Sequence, residues 1–154
     1  MIWTILPLLT ALGAGLVAGV FYAFSTFVMP GLALLSPPQG IAAMQAINVK
    51  AVTTGFMTGF MGTAALSIVV LVAGALGYAD GWAVAGALLY LAGCFGVTIA
   101  ANVPRNNLLA RLDPAAPEAA AAWMRYQAGW TMWNHLRGAA ALVACAALIV
   151  SVMQ

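Results

Sequence analysis

Charged residues are scarce in this 154-residue sequence, which has five Lys and Arg residues and three Asp and Glu residues. Only 5% of the chain is charged, against roughly 25% in soluble domains, and 65% is hydrophobic. Charge is absent from residues 1–49, 51–79 and 81–104, and each of these runs exceeds the ~20 apolar residues that cross a bilayer core. The scarcity excludes an ordinary soluble domain, and the net charge of +2 is too small to indicate nucleic-acid binding. The sequence therefore predicts an integral membrane protein embedded in a lipid bilayer.

Residues that ligate metals or carry protons are also few. His135 is the only histidine, so one chain lacks the two or three histidines of a common metal centre. The apolar runs contain no Asp or Glu, which argues against a di-iron site and against a carboxylate proton relay. Cys94 and Cys145 lie in apolar segments without metal-ligand spacing, and we interpret both as small buried hydrophobes. The sequence accordingly predicts no metal and no cofactor.

The charge-free segments predict the fold. Backbone polar groups in lipid must be paired within the chain, so each segment is expected to be a helix. We predict an all-α, single-domain protein over residues 1–154, a four-transmembrane-helix up-down bundle. Its spans are 2–29, 51–76, 82–103 and 130–153. Short interfacial helices are expected in the 1–2 loop and in the 3–4 loop, where Pro117 suits a first helical position and Glu118 a first turn.

The basic residues predict an orientation. Lys50 lies in the 1–2 loop, and Arg105, Arg111 and Arg125 lie in the 3–4 loop. The 2–3 loop and both termini have no Lys or Arg. The positive-inside rule then places both long loops in the cytoplasm and both termini outside a bacterial inner or plasma membrane.

Polar side chains within the spans gather at one end of the predicted bundle. In an up-down arrangement, the ends of spans one and three meet the beginnings of spans two and four. Tryptophan near a membrane boundary often forms an interfacial belt, and an arginine there can extend to the headgroups. Amide and imidazole groups are costly in hydrocarbon unless paired, so they indicate either a structural polar network or a binding site. We predict one pocket, open toward the cytoplasmic leaflet, formed by Tyr22, Asn102, Trp130, Trp133, Asn134, His135 and Arg137.

Such a pocket suits a flat, aromatic, phenolic or quinone-like molecule dissolved in the membrane. Tryptophan and tyrosine rings would stack on its rings. Asparagine and arginine would hydrogen-bond its oxygens, and His135 could accept a proton near neutral pH.

Several short motifs in the chain resemble those of a known family. They are Phe21-Tyr22-Ala23-Phe24, Met29-Pro30-Gly31, Ile47-Asn48, Asn102-Val-Pro-Arg-Asn106-Asn107, Trp123-x-x-Tyr126 and Trp130-Thr131-x-Trp133-Asn134-His135-x-Arg137. Together they resemble the anthrone oxygenase-like family of small four-helix membrane proteins. The resemblance implies an enzyme that uses molecular oxygen to convert an anthrone to an anthraquinone without metal or flavin.

Residue roles follow from the chemistry and the resemblance together. We predict that His135 is the general base and that Asn134 and Arg137 stabilise the substrate oxyanion. The predicted substrate-binding residues are Tyr22, Asn48, Asn102, Asn106, Trp130 and Trp133.

Other functions stay open at this point. One is a non-catalytic membrane module that binds a quinone-like or lipid ligand, or a structural subunit that packs against a partner. Another is a haem or copper site that uses His135 with Met29, Met57 or Met61. The sequence also leaves a homo-oligomer open.

Overall fold

A computed structural model describes residues 2–53 and 55–154, and this part of the chain contains helices and no strands. Four helices are long and apolar enough to cross a membrane, and one shorter helix lies between the first two of them. The membrane helices are α1 (Trp3–Ala33), α3 (Gly55–Ala75), α4 (Gly81–Ala110) and α5 (Ala119–Val152), and the shorter one is α2 (Pro37–Val52). The predicted all-α bundle of four membrane helices is confirmed. Thr54, within the predicted second span, lies outside the described residues.

Two prolines that directly follow the predicted spans 2–29 and 82–103 lie inside helices. α1 continues past Pro30 to Ala33, and α4 continues past Pro104 to Ala110. In both cases a π-helical segment, Phe24–Val28 or Thr98–Asn102, ends immediately before a new α-helical stretch that has the proline in its first turn. Proline is tolerated in a first turn because its missing N–H would have no partner there. The change of backbone pairing thus lets each helix continue through a proline that would otherwise end it.

α5 is also longer than predicted. It begins at Ala119 with Glu118 at the N-cap position, so Pro117 is not its first residue, and it continues through Gly129. The expected short helix of the 3–4 loop is therefore the first part of α5. Gly129 makes room for a neighbour, because a Cβ atom there would lie 3.0 Å from Nε of Arg105.

α2 confirms the helix expected in the 1–2 loop. Ser36 and Gln39 form a capping box at its start, with Ser36 Oγ donating to Gln39 Oε1 at 2.7 Å. Ile41 and Met44 are fully buried and pack in one apolar cluster with Trp123 of α5. α2 therefore covers the beginning of α5.

The opposite end of the bundle is closed by different contacts. Asp80 caps α4 by accepting from the backbone N–H groups of Trp82 and Ala83, and it also accepts from the Ser151 hydroxyl of α5. Gly77 ends α3 with a φ of +80°, a value that glycine adopts without strain. These contacts fix the end of α5 beside the beginning of α4.

Small residues and aromatic rings fill the interior between the two ends. Ala14, Val17 and Ala144 are fully buried with Tyr90, whose hydroxyl donates to the Phe60 carbonyl at 3.0 Å. Cys94 is buried as expected, whereas Cys145 is only partly buried.

Candidate functional site

Arg137 is a buried cation in the middle part of the bundle. It is 5% exposed and lies fourteen residues before Ser151, about 21 Å along α5 at 1.5 Å per residue. Its guanidinium lies 4.0 Å from the ring centroid of Phe21 and 4.9 Å from that of Trp130. Aromatic faces attract cations most strongly where water is excluded. The two rings therefore hold the charge at a depth where it would otherwise be costly.

Asn134 fixes the orientation of Arg137. Its Oδ1 accepts from Nε of Arg137 at 3.1 Å and from Nη2 at 2.8 Å. Its Nδ2 donates to the Phe21 carbonyl at 2.7 Å and to Ser25 Oγ at 2.8 Å. Nη1 of Arg137 donates to Thr98 Oγ1 of α4 at 3.3 Å. One fully buried amide thus ties the arginine of α5 to the backbone of α1.

Arg137 borders a cavity of about 350 Å³, which we call the inner cavity. Parts of all five helices line it, and most of the lining is apolar. Its rings come from Phe21, Phe24, Phe56, Phe60 and Trp130. Its polar residues are Asn48, Lys50, Thr98, Asn106 and Arg137. The volume lies near the lower end of the ~300–1,000 Å³ of small-molecule sites. An apolar, ring-lined cavity with a buried arginine at its wall suits a flat molecule that carries an oxygen.

Asn106 positions one wall of the inner cavity. Its Oδ1 accepts from the Tyr126 hydroxyl at 2.9 Å and from Nε1 of Trp130 at 2.8 Å. Asn102 is fully buried and donates to the Trp130 carbonyl at 3.1 Å, and its Oδ1 is without a partner among the described residues. Asn102 does not line the cavity. Its hydrogen bond to the Trp130 carbonyl joins α4 to α5. Trp133 lies against Arg105, with 5.9 Å between the guanidinium and the ring centroid, and also lies outside the cavity lining.

Tyr22 and His135 line a different space. They face a groove of about 580 Å³ between α1 and α5, which we call the outer groove, together with Ser25, Thr26 and Gly138. Tyr22 is 68% exposed, and His135 is exposed as well.

The expectation of one cluster with all seven residues is therefore corrected. The two buried asparagines, Trp130 and Arg137 face inward, whereas Tyr22 and His135 face outward. The reason is helical geometry: His135 follows Asn134 by one residue, and one residue turns the helix by about 100°. The roles predicted for these residues remain predictions.

Sequence reasoning missed some residues of the inner cavity. The rings of Phe21 and Phe56 were missed as lining because phenylalanine is ordinary in a membrane helix and carries no polar signal. Lys50 was interpreted only as a loop charge, although it also lines the cavity. The sequence signal for Thr98 is its position four residues before Asn102, which places both side chains on one face of α4.

The ligand set of the haem or copper alternative is not brought together. His135 lies in the outer groove, whose lining does not include the three methionines. Met29 is buried in the apolar cluster with Trp123, Met57 lines the inner cavity, and Met61 is 49% exposed. Within residues 2–53 and 55–154, no three His, Cys, Asp or Glu side chains are grouped so as to hold a metal ion.

A family model described as anthrone oxygenase matches residues 55–147 of the chain. The matched range contains α3, α4 and most of α5. It includes Asn102, Asn106, Trp130, Asn134, His135 and Arg137, and it leaves α1 and α2 outside. The comparisons with curated proteins and with solved structures found no match.

Proposed function

The chain belongs to the anthrone oxygenase family, and from this premise we propose that it oxidises a flat polycyclic phenol to a quinone with molecular oxygen. The proposal places the substrate in the inner cavity. The observation that carries it is Arg137, a buried cation between two aromatic rings at the wall of an apolar cavity.

Arg137 has donors left for a ligand. An arginine side chain carries five N–H groups. Three of them bond to Asn134 and Thr98 within the described part of the chain, which leaves two for an oxygen in the cavity. A fixed guanidinium that faces an apolar space favours the anionic form of a phenol, because an opposite charge nearby lowers the pKa of an acid. The phenolate or enolate is thus the form that the inner cavity would stabilise.

The reaction then follows from the electron density of that anion. An anthrone that loses a proton becomes an electron-rich enolate, which can transfer one electron to oxygen and form a superoxide–radical pair. Recombination forms a C–O bond at the ring carbon opposite the carbonyl. Loss of the remaining hydrogen of that carbon, with cleavage of the O–O bond, leaves the second carbonyl and expels hydroxide, which becomes water by taking up the proton lost in the first step. One anthrone and one oxygen molecule give one anthraquinone and one water, so atoms and electrons balance.

The protein would contribute electrostatic stabilisation and orientation. Phe21 and Trp130 would stack on the substrate rings, and Asn106 would hold Trp130 in place through its Nε1. Arg137 would hold the oxyanion at the wall of a mostly apolar cavity, where such stabilisation is stronger than in bulk water.

The general base stays a prediction. His135 was predicted for this role, and it lies in the outer groove rather than in the inner cavity. Asn134 donates to Ser25, which lines the outer groove, and accepts from Arg137, which borders the inner cavity. If His135 is the base, either the substrate binds in the outer groove or the proton crosses this polar layer.

A non-catalytic module that binds a quinone-like ligand is the second candidate. The residues that line the inner cavity include no histidine and no carboxylate. These are the usual general bases, so the cavity by itself fits binding as well as it fits catalysis.

The test is oxygen consumption by the purified protein in detergent with anthrone as substrate. We expect one quinone formed for each oxygen consumed, at a rate above that of protein-free solution. An Arg111→Gln variant, which changes an exposed arginine outside the inner cavity, serves as the control for charge. If wild-type protein binds anthraquinone but does not raise the oxidation rate, the binding-module function replaces the oxygenase.

A further inference from the structure

A second pocket with charged residues lies where α4 ends and α5 begins. It has a volume of about 280 Å³, and we call it the arginine pocket. Arg105 of α4 and Arg125 of α5 both line it, with Leu108 and Leu112 as apolar neighbours. The inner cavity shares no lining residue with it.

The position of Arg105 is fixed by its surroundings. Its Nη1 donates to the Ala101 carbonyl at 2.8 Å, and its guanidinium lies 5.9 Å from the ring centroid of Trp133. Gly129 leaves space for this side chain, because an added Cβ would lie 3.0 Å from its Nε. Arg105 is therefore partly buried and held in place, whereas Arg125 is exposed.

The charges of the arginine pocket are of one sign. Asp113 and Glu118, the carboxylates nearest in sequence, are not among the residues that line it. The Asp113 carboxylate accepts from the backbone N–H of Ala115 at 2.9 Å. Two arginines at one pocket indicate an anionic ligand, and paired guanidinium groups match the geometry of phosphate oxygens.

The depth of the pocket indicates which anion it would meet. Ser151 and Asp80 are hydrogen-bonded at the opposite end of the bundle, so they serve as a common reference for both helices. Arg125 lies 26 residues before Ser151 on a continuous α-helix, about 39 Å along it, and Arg105 lines the same pocket from α4. The hydrocarbon core of a bilayer is about 30 Å thick, and the headgroups extend the total to about 40–45 Å. With the Asp80–Ser151 contact at one edge of the hydrocarbon core, both arginines would lie at the depth of the lipid headgroups on the other side.

We propose that the arginine pocket binds the phosphodiester headgroup of an anionic phospholipid. Arg105 and Arg125 hold the phosphate oxygens, and an acyl chain runs along Leu108, which is 70% exposed. Inorganic phosphate offers the same oxygens without the chain, so the apolar part of the pocket distinguishes the lipid from the free ion. The site is separate from the inner cavity, and its existence does not depend on the oxygenase reaction.

Native mass spectrometry of the detergent-purified protein with added phosphatidylglycerol tests the proposal. We expect the dissociation constant to rise at least about tenfold in the Arg105→Gln/Arg125→Gln double variant, since each loses charge-assisted hydrogen bonds to phosphate. The single Arg125→Gln variant changes an exposed side chain and is expected to keep the fold while it weakens binding. The matched control is Arg111→Gln, which removes the same charge from an exposed position outside the pocket and should leave binding within about twofold.

Three results would overturn the proposal. One is equal binding of phosphatidylglycerol by wild type, by Arg125→Gln and by the Arg105→Gln/Arg125→Gln double variant. Another is a loss of affinity in Arg111→Gln as large as that in Arg125→Gln, which would indicate attraction by net charge alone. The third is displacement of phosphatidylglycerol by inorganic phosphate at equal concentration, which would show that the acyl chain contributes nothing. Thermal unfolding of every variant in the same detergent checks that the fold is intact.

Discussion

The inner cavity and the outer groove lie on opposite sides of the same stretch of α5, and their polar groups differ in burial and in hydrogen bonding. On the inner side, Asn134 and Arg137 are nine-tenths or more buried, and all the polar atoms of the Asn134 amide have partners. On the outer side, Tyr22 and His135 are exposed beside Gly138. The inner network is bonded to three helices, so its geometry is fixed before a ligand arrives. The outer groove offers polar groups without such a fixed network.

This difference shows what preorganisation requires. A cation that stabilises a developing anion is most effective when it is already in place and needs no reorganisation at the moment of reaction. Arg137 meets that condition through Asn134, Phe21 and Trp130. Among residues 2–53 and 55–154, no hydrogen bond of this kind fixes the exposed His135 imidazole. The comparison therefore favours the inner cavity as the reaction site, and the variants below test each side in turn.

The largest effect is expected from removing the inner cation. Arg137→Gln should lower the rate constant of anthrone oxidation about 100- to 1,000-fold, the range for loss of one oxyanion donor. The loss should appear in kcat more than in KM, since the oxyanion develops during the reaction. Stopped-flow measurement of quinone absorbance, with Arg111→Gln as the control, checks this. A normal kcat in a folded Arg137→Gln protein would remove the inner cavity from the reaction.

A smaller loss is expected when the arginine stays and its support is removed. Asn134→Leu should lower the oxidation rate about 10-fold and destabilise the protein by about 1–3 kcal/mol, because the Phe21 carbonyl and Arg137 lose their partner. Asn102→Leu is the matched control, since it removes another fully buried amide, one without a hydrogen bond to Arg137 in the described part of the chain. Unfolding and oxidation rates are measured for both. A rate loss as large in Asn102→Leu as in Asn134→Leu would mean that general destabilisation, not arginine position, controls the rate.

The outer groove is expected to matter less for the reaction. His135→Gln should change the oxidation rate by less than about threefold, since the side chain is exposed and outside the inner cavity. The same stopped-flow assay, run from pH 5 to 8, measures it. A loss comparable to that of Arg137→Gln would instead place the substrate in the outer groove with His135 as general base.

The smallest effect concerns the far end of the bundle, which belongs to neither site. Burial alone would raise the pKa of Asp80. Its hydrogen bonds from Ser151 and from the backbone of Ala83 and Trp82 outweigh this, so the pKa lies below its usual value of 3.8. The stabilisation is therefore complete above about pH 4 and is lost as the pH falls through the lower folded-state pKa.

Loss of this cap should have a modest, pH-dependent cost. Asp80→Ala is expected to cost about 1 kcal/mol at pH 7, the usual value of an N-cap, and anthrone oxidation should be unchanged. Thermal unfolding at pH 7 and at pH 3 checks this, with a difference between wild type and variant that shrinks at the lower pH. A difference that grows on acidification would contradict the assigned direction.

The sequence was sufficient for the helices and insufficient for the faces of α5. Charge-free length predicts a membrane helix because lipid leaves no other way to pair the backbone, so the four spans followed directly. The predicted spans 2–29 and 82–103 end just before Pro30 and Pro104, whereas the helices continue, because the π segments that shift the pairing before each proline leave no pattern in composition. His135 follows Asn134 by one residue and so lies on a neighbouring face of α5, and the prediction of one pocket combined these two faces.

Location of a bound product is the most direct test of the inner cavity as the reaction site. A structure of the purified protein with anthraquinone, which is stable in air, shows where the rings lie. The account predicts a quinone oxygen within hydrogen-bond distance of the Arg137 guanidinium, with the rings against Phe21 and Trp130. A quinone in the outer groove beside His135 and Tyr22, with the inner cavity empty, would contradict it.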